Sequence, residues 1–357
     1  MGYNKKVWVL IYVSMVFLGK TYGCTDFVVE TKDGTLINGR SLEFAIDLKT
    51  TLKVFPKNTQ FSSKSPNQAK GIEWTSKYGH LSATILGMDI CIDGLNEKGL
   101  SFGYLWLPGT QYMDVAKNET VKAIDFMDFG NWILGNFSTV AELKKALPQV
   151  LVWGHPIPSF PGGTPPAHVA VHDRMGNHLV IEFIQGEIKI YDNPNTVLTN
   201  YPPFDWHLIN LQNYIGLNAL NAAPIEWKGM NLAGTGQGSG FLGMPGDWTP
   251  PSRFIRMSTL LRFAKTAKDK SEGVNLVEHL LNAVDIPIGD IQARDGEQDY
   301  TQWVVIKDLT NQAFYFRSYK NLAMKLIDLK KLDFRPGKQQ ESIPIDISSG
   351  FVDITPQ

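Results

Sequence analysis

The sequence predicts an α+β fold in which two antiparallel β-sheets pack together and helices cover their outer faces. Three observations favour this fold: the apolar segments are mostly short and strand-like, turns rich in Gly, Asn and Asp separate them, and helical patterns come in separate groups after the strands. With 357 residues, of which 43% are hydrophobic, the chain can bury a large core. No shift in composition divides it, so we expect a single domain over residues 24–357.

Residues 1–23 have the pattern of a secretory signal peptide. Two lysines precede an apolar run, Lys20 ends that run, and the small residues Thr21 and Gly23 occupy the third and first positions before Cys24. The run is shorter than the about 20 apolar residues that a membrane-spanning helix needs. We therefore expect cleavage after Gly23, no stable membrane insertion of the mature chain, and a periplasmic or secreted location.

The charge of the chain gives no reason to expect a nucleic-acid partner. The formal net charge is -1, whereas proteins that bind nucleic-acid phosphates usually carry clustered Lys and Arg. The sequence therefore predicts no nucleic-acid partner.

The first predicted element of the mature chain is a β-hairpin made of residues 24–30 and 36–44. The turn sequence Lys32-Asp33-Gly34-Thr35 joins its two strands. This hairpin would bring Arg40 back beside Cys24. Further strands are predicted at residues 52–55, 78–86, 90–92 and 101–106, with a turn at residues 94–100.

Helices and further strands follow in the rest of the chain. Helical spacing predicts helices at residues 123–135, 140–147 (with Ser138 as N-cap), 205–214 and 252–265. Strands are predicted at residues 168–172, 178–183, 188–191, 301–306 and 313–318. The glycine-rich stretch 234–240 lacks the Gly-Lys-Ser/Thr ending of a phosphate-binding loop, so we interpret it as a flexible loop near the substrate entrance.

Cleavage after Gly23 would give Cys24 both a thiol and a free α-amine. An α-amine has a pKa near 7.7–8.0, so it can serve as the base that removes the thiol proton near neutral pH. A nearby guanidinium would favour the thiolate, which is a suitable role for Arg40 across the hairpin. Glu43 or Asp26 could then orient or balance this pair.

Other interpretations of these residues stay open. Cys24 could be a buried small residue, with Arg40 an ordinary surface cation. It could form a disulfide with Cys91, or be acylated as in lipoproteins, although Tyr22 and Thr21 are unusual before a lipidated cysteine. His168, His172 and His178 could suggest a metal site, but the sequence favours histidines of a sheet because nothing nearby completes a ligand set.

Eight short motifs, weak singly but strong in their combined order and spacing, make the chain resemble a known family. They are Cys24-Thr25, Asn38-Gly39-Arg40-Ser41-Leu42-Glu43, Gly94-Leu95-Asn96-Glu97-Lys98-Gly99-Leu100, Leu198-Thr199-Asn200-Tyr201-Pro202, Phe204-Asp205-Trp206, Pro245-Gly246-Asp247, Ser252-Arg253-Phe254-Ile255-Arg256 and Thr301-Gln302-Trp303. On these residues the chain resembles the choloylglycine hydrolase and penicillin V acylase family of N-terminal-nucleophile hydrolases, from Cys24 almost to the C-terminus.

The resemblance implies a four-layer αββα sandwich with Cys24 as nucleophile. It also implies that Arg40 lies beside the thiol, that Asn200 helps to form the oxyanion hole, and that Arg253 supports the catalytic centre. Without the family, Asn200 would be interpreted as a turn residue and Arg253 as part of the polar face of a helix. No metal or organic cofactor is implied, and relatives often form homotetramers.

Two positions depart from the commoner family pattern. Glu43 stands where many members have an aspartate, so this carboxylate extends further than theirs. Trp106 stands where many bile-salt enzymes have an asparagine. An indole has no side-chain carbonyl or amide for the oxyanion hole, so we expect a backbone N–H as the second donor.

The substrate expected from these features is a small N-acyl amide. Trp106, Tyr104, Phe44 and Trp248 are candidates to line an apolar or aromatic acyl pocket. The two departures resemble the extracytoplasmic penicillin V acylases, some of which also deacylate N-acyl homoserine lactones. We therefore favour this activity over a conjugated bile-salt hydrolase. A secreted or lipid-anchored binding protein without catalysis is the alternative of another class.

Overall fold

The structure is a computed structural model that describes residues 23–157, 163–338 and 342–347. Two antiparallel sheets form the centre of this part of the chain. The strands of the six-stranded sheet are β1 (Cys24–Glu30), β2 (Leu36–Phe44), β16 (Ile291–Gln292), β17 (Gln298–Asp308), β18 (Ala313–Ser318) and β19 (Asn321–Asp328). They run in the order β1-β2-β17-β18-β19, with β16 paired to β17.

The eight-stranded sheet has the order β13-β12-β11-β8-β7-β6-β3-β20. Its strands are β3 (Thr51–Phe55), β6 (His80–Ile85), β7 (Met88–Asn96), β8 (Ser101–Trp106), β11 (Ala167–His172), β12 (His178–Ile184), β13 (Glu187–Asp192) and β20 (Ser342–Pro344). The described residues also form three two-stranded ribbons: β4 (Gln60–Lys64) with β5 (Lys70–Thr75), β9 (Ala123–Asp125) with β10 (Leu151–Trp153), and β14 (Ile225–Trp227) with β15 (Met230–Leu232).

Helices cover the outer face of each sheet. They are α1 (Phe126–Asn136), α2 (Val140–Ala146), α3 (Phe204–Leu211), α4 (Pro250–Phe263) and α5 (Lys270–Asn282). Helix α1 packs on β6, β7 and β8, α4 packs on β1, and α5 packs on β1, β2 and β17, while β1 contacts β8 of the facing sheet. These contacts give the layer order helix, sheet, sheet, helix, which confirms the predicted αββα sandwich.

The position of β2 explains why its polar residues are buried. Each residue of β2 is buried, because helices cover one face of the strand and the second sheet covers the other. A Cβ at Gly39 would lie 2.5 Å from Cγ1 of Val277 in α5 and 2.8 Å from Cζ of Phe27, so glycine allows the close approach of strand and helix. Since side chains alternate along a strand, Arg40 then faces the second sheet and Glu43 faces the helix layer.

The structure confirms the predicted hairpin with its bounds and most of the longer strands, but it corrects several boundaries. Residues 123–125 belong to β9, so α1 begins only at Phe126, after Asp125, whose side chain caps the helix. Thr139, and not Ser138, caps α2. Helix α3 begins at Phe204 and α4 extends from Pro250 to Phe263. Strand β7 continues to Asn96, into the predicted turn.

The sequence patterns missed helix α5, the end strand β19 and the short ribbons. The signal peptide predicted for residues 1–23 lies outside the described residues, except for Gly23. Among the helices of the described residues, none is both long and apolar enough to cross a bilayer.

Candidate active site

Cys24 begins strand β1 and is 2% exposed. In the pairing of β1 with β2, Cys24 lies opposite Leu42, and Arg40 lies opposite Asp26. Side chains two residues apart share a strand face, so Arg40 and Cys24 project into the same space between the sheets. The distance from Arg40 Nη2 to Cys24 Sγ is 4.0 Å. The predicted proximity of these two side chains is therefore confirmed.

Arg40 is held by the facing sheet. Its Nη1 donates to the carbonyl oxygen of Ile92 at 2.6 Å and to Asp93 Oδ2 at 2.9 Å, and its Nη2 donates to the carbonyl oxygen of Tyr104. Lys307 Nζ lies 2.9 Å from both carboxylate oxygens of Asp93. All three charged side chains are fully buried. Asp93 thus balances two cations at the centre of the sandwich.

The sequence did not single out Asp93 and instead offered Glu43 or Asp26 as the acid next to Arg40. In the structure Asp26 accepts hydrogen bonds from His172 Nε2 at 2.6 Å and from Asn38 Nδ2 at 3.1 Å. Burial alone would raise the pKa of Asp26, but His172, together with other cationic and donor groups, lowers it. The one feature of the sequence that could have pointed to Asp93 is its position directly before the family motif that begins at Gly94.

Asn200 and Arg253 meet at the backbone of Cys24. Asn200 Oδ1 accepts the Cys24 N–H at 2.8 Å and Arg253 Nη2 at 2.7 Å, while Asn200 Nδ2 donates to the carbonyl oxygen of Trp106 at 2.8 Å. Arg253 Nη1 donates to the carbonyl oxygen of Cys24 and, at 2.8 Å, to Thr25 Oγ1. Because Oδ1 accepts from two donors and Nδ2 faces an acceptor, the orientation of the Asn200 amide is defined.

Glu43 lies on the helix side of β2 and is fully buried. Its Oε1 accepts the Thr301 hydroxyl at 2.9 Å, and a Cβ added at Gly23 would be 3.4 Å from Oε2. Burial raises the pKa of Glu43, and Arg253 partly opposes this effect. The longer side chain therefore places its carboxyl next to the residue before Cys24, away from Arg40.

The pKa of the Cys24 thiol is raised in the chain as it stands, with Cys24 still joined to Gly23. Burial is the main cause and Glu43 adds to it, whereas Arg40, the backbone N–H of Trp106 and Arg253 act in the opposite direction. Trp106 thus acts on the sulfur through its backbone N–H. The uncut chain favours a neutral thiol.

An apolar cavity opens at Cys24, and Phe44, Tyr104 and Trp106 are among its walls. The other lining residues are Leu42, Leu48, Ile85, Ile90, Ile92, Leu105, Phe126, Ile157, Pro165 and Ala167. The rings of Phe44 and Trp106 meet edge to face at 5.7 Å, and the Tyr104 hydroxyl donates to the carbonyl oxygen of Phe126 at 2.8 Å. The polar end of Tyr104 is thus occupied, so the cavity presents an apolar surface. Trp248, also predicted for this pocket, instead packs its ring against Arg256.

The disulfide and the histidine metal site considered from the sequence are not found among the described residues. Cys24 and Cys91 are both free thiols, so the structure does not contain the disulfide considered above. His168 pairs with Glu182, and His172 lies between Asp26 and His178. Within residues 23–157, 163–338 and 342–347, no group of three His, Cys, Asp or Glu side chains could hold a metal ion.

The αββα sandwich, with a cysteine at the start of strand β1, defines the class of N-terminal-nucleophile hydrolase folds. The comparisons with known proteins narrow this class. The sequence model of the linear amide C–N hydrolases of the choloylglycine hydrolase family matches residues 24–345. The chain therefore belongs to this family.

Relatives with curated names include two kinds of amide hydrolase. The chain is 34% identical to a bile salt hydrolase/transferase of Clostridium perfringens, over 86% of this chain and 93% of that protein. It is 28% identical to a penicillin V acylase of Pectobacterium atrosepticum, over 84% of this chain and 78% of that protein. These identities by themselves do not place the chain closer to the penicillin V acylases.

A solved structure agrees with the fold. The crystal structure of a mutant of the conjugated bile acid hydrolase from Clostridium perfringens superposes with a TM-score of 0.81 at 30% identity. That superposition covers 92% of this chain and 100% of the other. The similarity therefore extends over both sheets and the helix layers.

Proposed function

We propose that this protein is an amidase that cleaves N-acyl amides through Cys24 as an N-terminal nucleophile, and that its preferred acyl groups are apolar, as in penicillin V or N-acyl homoserine lactones. The observation that carries this proposal is the apolar cavity that opens at the Cys24 sulfur. An acyl group in that cavity would place its carbonyl carbon beside the thiol.

Removal of residues 1–23 would convert the buried thiol into a nucleophile. The new α-ammonium group would lie next to the sulfur, and a neighbouring positive charge lowers the pKa of a thiol. Arg40, at 4.0 Å from Sγ, favours the thiolate in the same way. The neutral α-amine, held by Asn200 Oδ1 as the Cys24 N–H is held now, acts as the general base: it takes the thiol proton, which gives the thiolate and the α-ammonium.

In the acylation step the thiolate attacks the amide carbonyl carbon, and the oxyanion that forms requires hydrogen-bond donors. Asn200 Nδ2 has two hydrogens, one of which is bonded to Trp106, so the second can reach the oxyanion. The backbone N–H of Trp106, which faces the sulfur, is the second donor. Each such donor is worth about 2.7–4 kcal/mol of transition-state stabilisation in known cases.

The C–N bond then breaks and the α-ammonium gives its proton to the leaving amine, which leaves an acyl thioester on Cys24. A water molecule, losing its proton to the same α-amine, attacks the thioester and releases the carboxylic acid and the free thiol. Apart from this water molecule, the chain's own groups carry every proton in this sequence.

Conjugated bile salts are the second candidate substrates. The 34% identity to the bile salt hydrolase/transferase of Clostridium perfringens favours them. The cavity wall of Phe44, Trp106 and Ile157 instead favours the first substrate class, with a flat aromatic ring or a fatty chain, because aromatic rings stack on rings and pack along alkyl chains.

The proposed site of action is periplasmic or extracellular, on the basis of the leader sequence.

We test the proposal with the mature protein, penicillin V, a glycine-conjugated bile salt and a long-chain N-acyl homoserine lactone. We expect penicillin V or the lactone to give the highest kcat/KM, and the C24A variant to lose turnover of each by at least about a thousandfold. The C91A variant is the matched control, because Cys91 is also buried and burial raises its pKa to about 12. Its turnover should stay near that of the wild type.

Two results would contradict this function. Full turnover by C24A would exclude Cys24 as the nucleophile. An intact mass that shows a lipid-modified Cys24, or a retained leader in active protein, would exclude the α-amine as base. A preference for the bile salt would leave the mechanism standing and select the second substrate class.

A further inference from the structure

Strand β11 carries two histidines that the proposed mechanism does not use. One of them, His168, is fully buried and lies between two acceptors. Its Nδ1 is 3.0 Å from Glu182 Oε1, and its Nε2 is 3.0 Å from the carbonyl oxygen of Thr199. Thr199 is the residue directly before Asn200, so this histidine contacts the backbone that carries the proposed oxyanion donor.

The hydrogen bonds define how many protons the two side chains share. A carbonyl oxygen can only accept, so Nε2 of His168 must carry a proton. One further proton must lie between Nδ1 and Oε1, since two lone pairs 3.0 Å apart would repel each other. As a unit the two side chains therefore hold two protons, whichever of them carries the second.

Glu182 also organises the segment that follows Asn200. Its Oε1 accepts the backbone N–H of Phe204 at 2.9 Å. Phe204 begins helix α3, whose N-cap residue Pro203 makes no side-chain cap, so Glu182 provides the acceptor that the helix start needs.

The first turn of α3 leads back to Asn200. His207 Nε2 lies 2.9 Å from the carbonyl oxygen of Asn200. Burial lowers the pKa of His207 to about 4, so its ring is neutral near pH 7 and donates from Nε2. The ring stacks on Phe254 with 4.7 Å between centroids. The carbonyl groups on both sides of the Asn200 Cα are thus held by buried histidines.

We propose that His168 and Glu182 form a buried positioning pair that fixes Asn200 for oxyanion stabilisation, an inference that rests on the proposed function. The pair does not contact the substrate. It acts through the Thr199 carbonyl and the start of α3, and it keeps the Asn200 amide at the Cys24 backbone. A displacement of about 1 Å in such a group can cost about a hundredfold in rate.

The variant E182Q tests the pair because a glutamine cannot keep the contacts to both His168 and Phe204 without an energetic penalty. If its amide oxygen accepts from both Phe204 and His168 Nδ1, the imidazole must be a buried cation without a counter-ion. If the imidazole is neutral with its proton on Nε2, the lone pair of Nδ1 faces that oxygen. Either way, a contact that positions Thr199 or Phe204 is weakened while side-chain volume stays the same.

The measurement compares amide hydrolysis with alkylation of Cys24 by iodoacetamide, which requires the thiolate but no oxyanion hole. For E182Q we expect kcat to fall about tenfold to a hundredfold, KM to change by less than about threefold, and the alkylation rate to stay within about twofold of the wild type. H80Q is the control: His80 is equally buried, lies in the same sheet and contacts Asn131. We expect H80Q to lower the melting temperature without changing kcat.

Three results would overturn the proposal. An unchanged kcat in folded E182Q would make the pair merely structural, and a parallel fall in alkylation would place the damage at Cys24 itself. If E182Q does not fold, the ¹⁵N resonances of the His168 imidazole in the wild type test the proposal instead. A ring with no proton on Nε2 could not donate to the Thr199 carbonyl oxygen, and this would overturn the pair.

If the wild type cleaves no amide, the proposed function fails separately from the positioning pair. The side-chain amide resonances of Asn200 in ¹⁵N-asparagine-labelled protein then test the pair directly. A change of these resonances in E182Q, with none in H80Q, supports it. Unchanged resonances overturn it.

Discussion

At the scale of single residues, Arg40 is the group that most directly influences the Cys24 sulfur. Its guanidinium spans from the Asp93 carboxylate to the thiol and lies 5.3 Å from the centre of the Trp303 ring. The planar fork makes these contacts at the same time, which a single ammonium cannot do. The positive charge near the sulfur therefore depends on arginine geometry as well as on charge.

The variant R40K tests this dependence. A lysine can keep the ion pair with Asp93, but its ammonium cannot also reach toward Sγ, so we expect the pKa of the Cys24 thiol to rise. The pH dependence of alkylation by iodoacetamide measures this pKa, and kcat at pH 7 should fall about tenfold or more. An unchanged alkylation profile would contradict the role assigned to Arg40.

At the scale of elements, helix α1 begins at a carboxylate that is unusually costly to ionise. Asp125 caps the helix, with Oδ1 accepting the Met127 N–H at 3.1 Å, although it is only 2% exposed. Burial raises the pKa of Asp125 to about 7, and the nearby Asp128 acts in the same direction. The N–H of Met127 and the charge of Lys64 oppose this rise but do not cancel it.

This pKa predicts how the stability of the fold depends on pH. In the unfolded chain Asp125 loses its proton at about pH 3.9, whereas the folded chain keeps it until about pH 7. The folded state thus binds more protons between these values, so the free energy of unfolding falls as pH rises through that window and stays lower above it.

The variant D125N should remove this effect, because asparagine is an equally good N-cap that never ionises. We expect it to raise the free energy of unfolding by about 2–4 kcal/mol at pH 8, with a gain that shrinks as the pH is lowered toward 5. Thermal unfolding at several pH values measures the difference. A D125N protein that is less stable than the wild type at pH 8 would contradict the assignment.

At the scale of the whole molecule, one buried charge cluster joins the two sheets beneath the candidate site. Arg40 on β2 and Lys307 on β17 belong to the six-stranded sheet, and Asp93 on β7 belongs to the eight-stranded sheet. Taking a charge out of water is costly unless a partner compensates it. Asp93 is the shared partner of both cations. Loss of its charge should therefore lower the free energy of unfolding more than loss of one of the two cations.

The variants D93N and K307M make this comparison. D93N would leave two buried cations without their carboxylate, and we expect it to lower the free energy of unfolding by about 3–5 kcal/mol and to abolish activity. K307M leaves the Arg40–Asp93 pair neutral, so its effect on chemical unfolding should be much smaller. Equal destabilisation by both variants would contradict the shared-partner account.

The sequence by itself determined the hairpin of β1 and β2, the proximity of Cys24 and Arg40, and the class of the fold. These features depend on alternation and turn residues within a short stretch of chain, and on motifs whose order can be compared with a family. Phe44, Tyr104 and Trp106 were also recognisable as aromatic residues that could line an apolar pocket, and all three line the cavity at Cys24.

Only the tertiary structure decided which distant groups meet. Asp93 is 53 residues from Arg40 and 214 from Lys307, and Asn200 is 176 from Cys24. Strand periodicity indicates which face a side chain takes but not which strand lies opposite, so Asp93 and the pair of His168 with Glu182 could not be assigned. Helix α5 and the short ribbons were missed for a related reason, since packing against the sheets, and not local propensity, decides such elements.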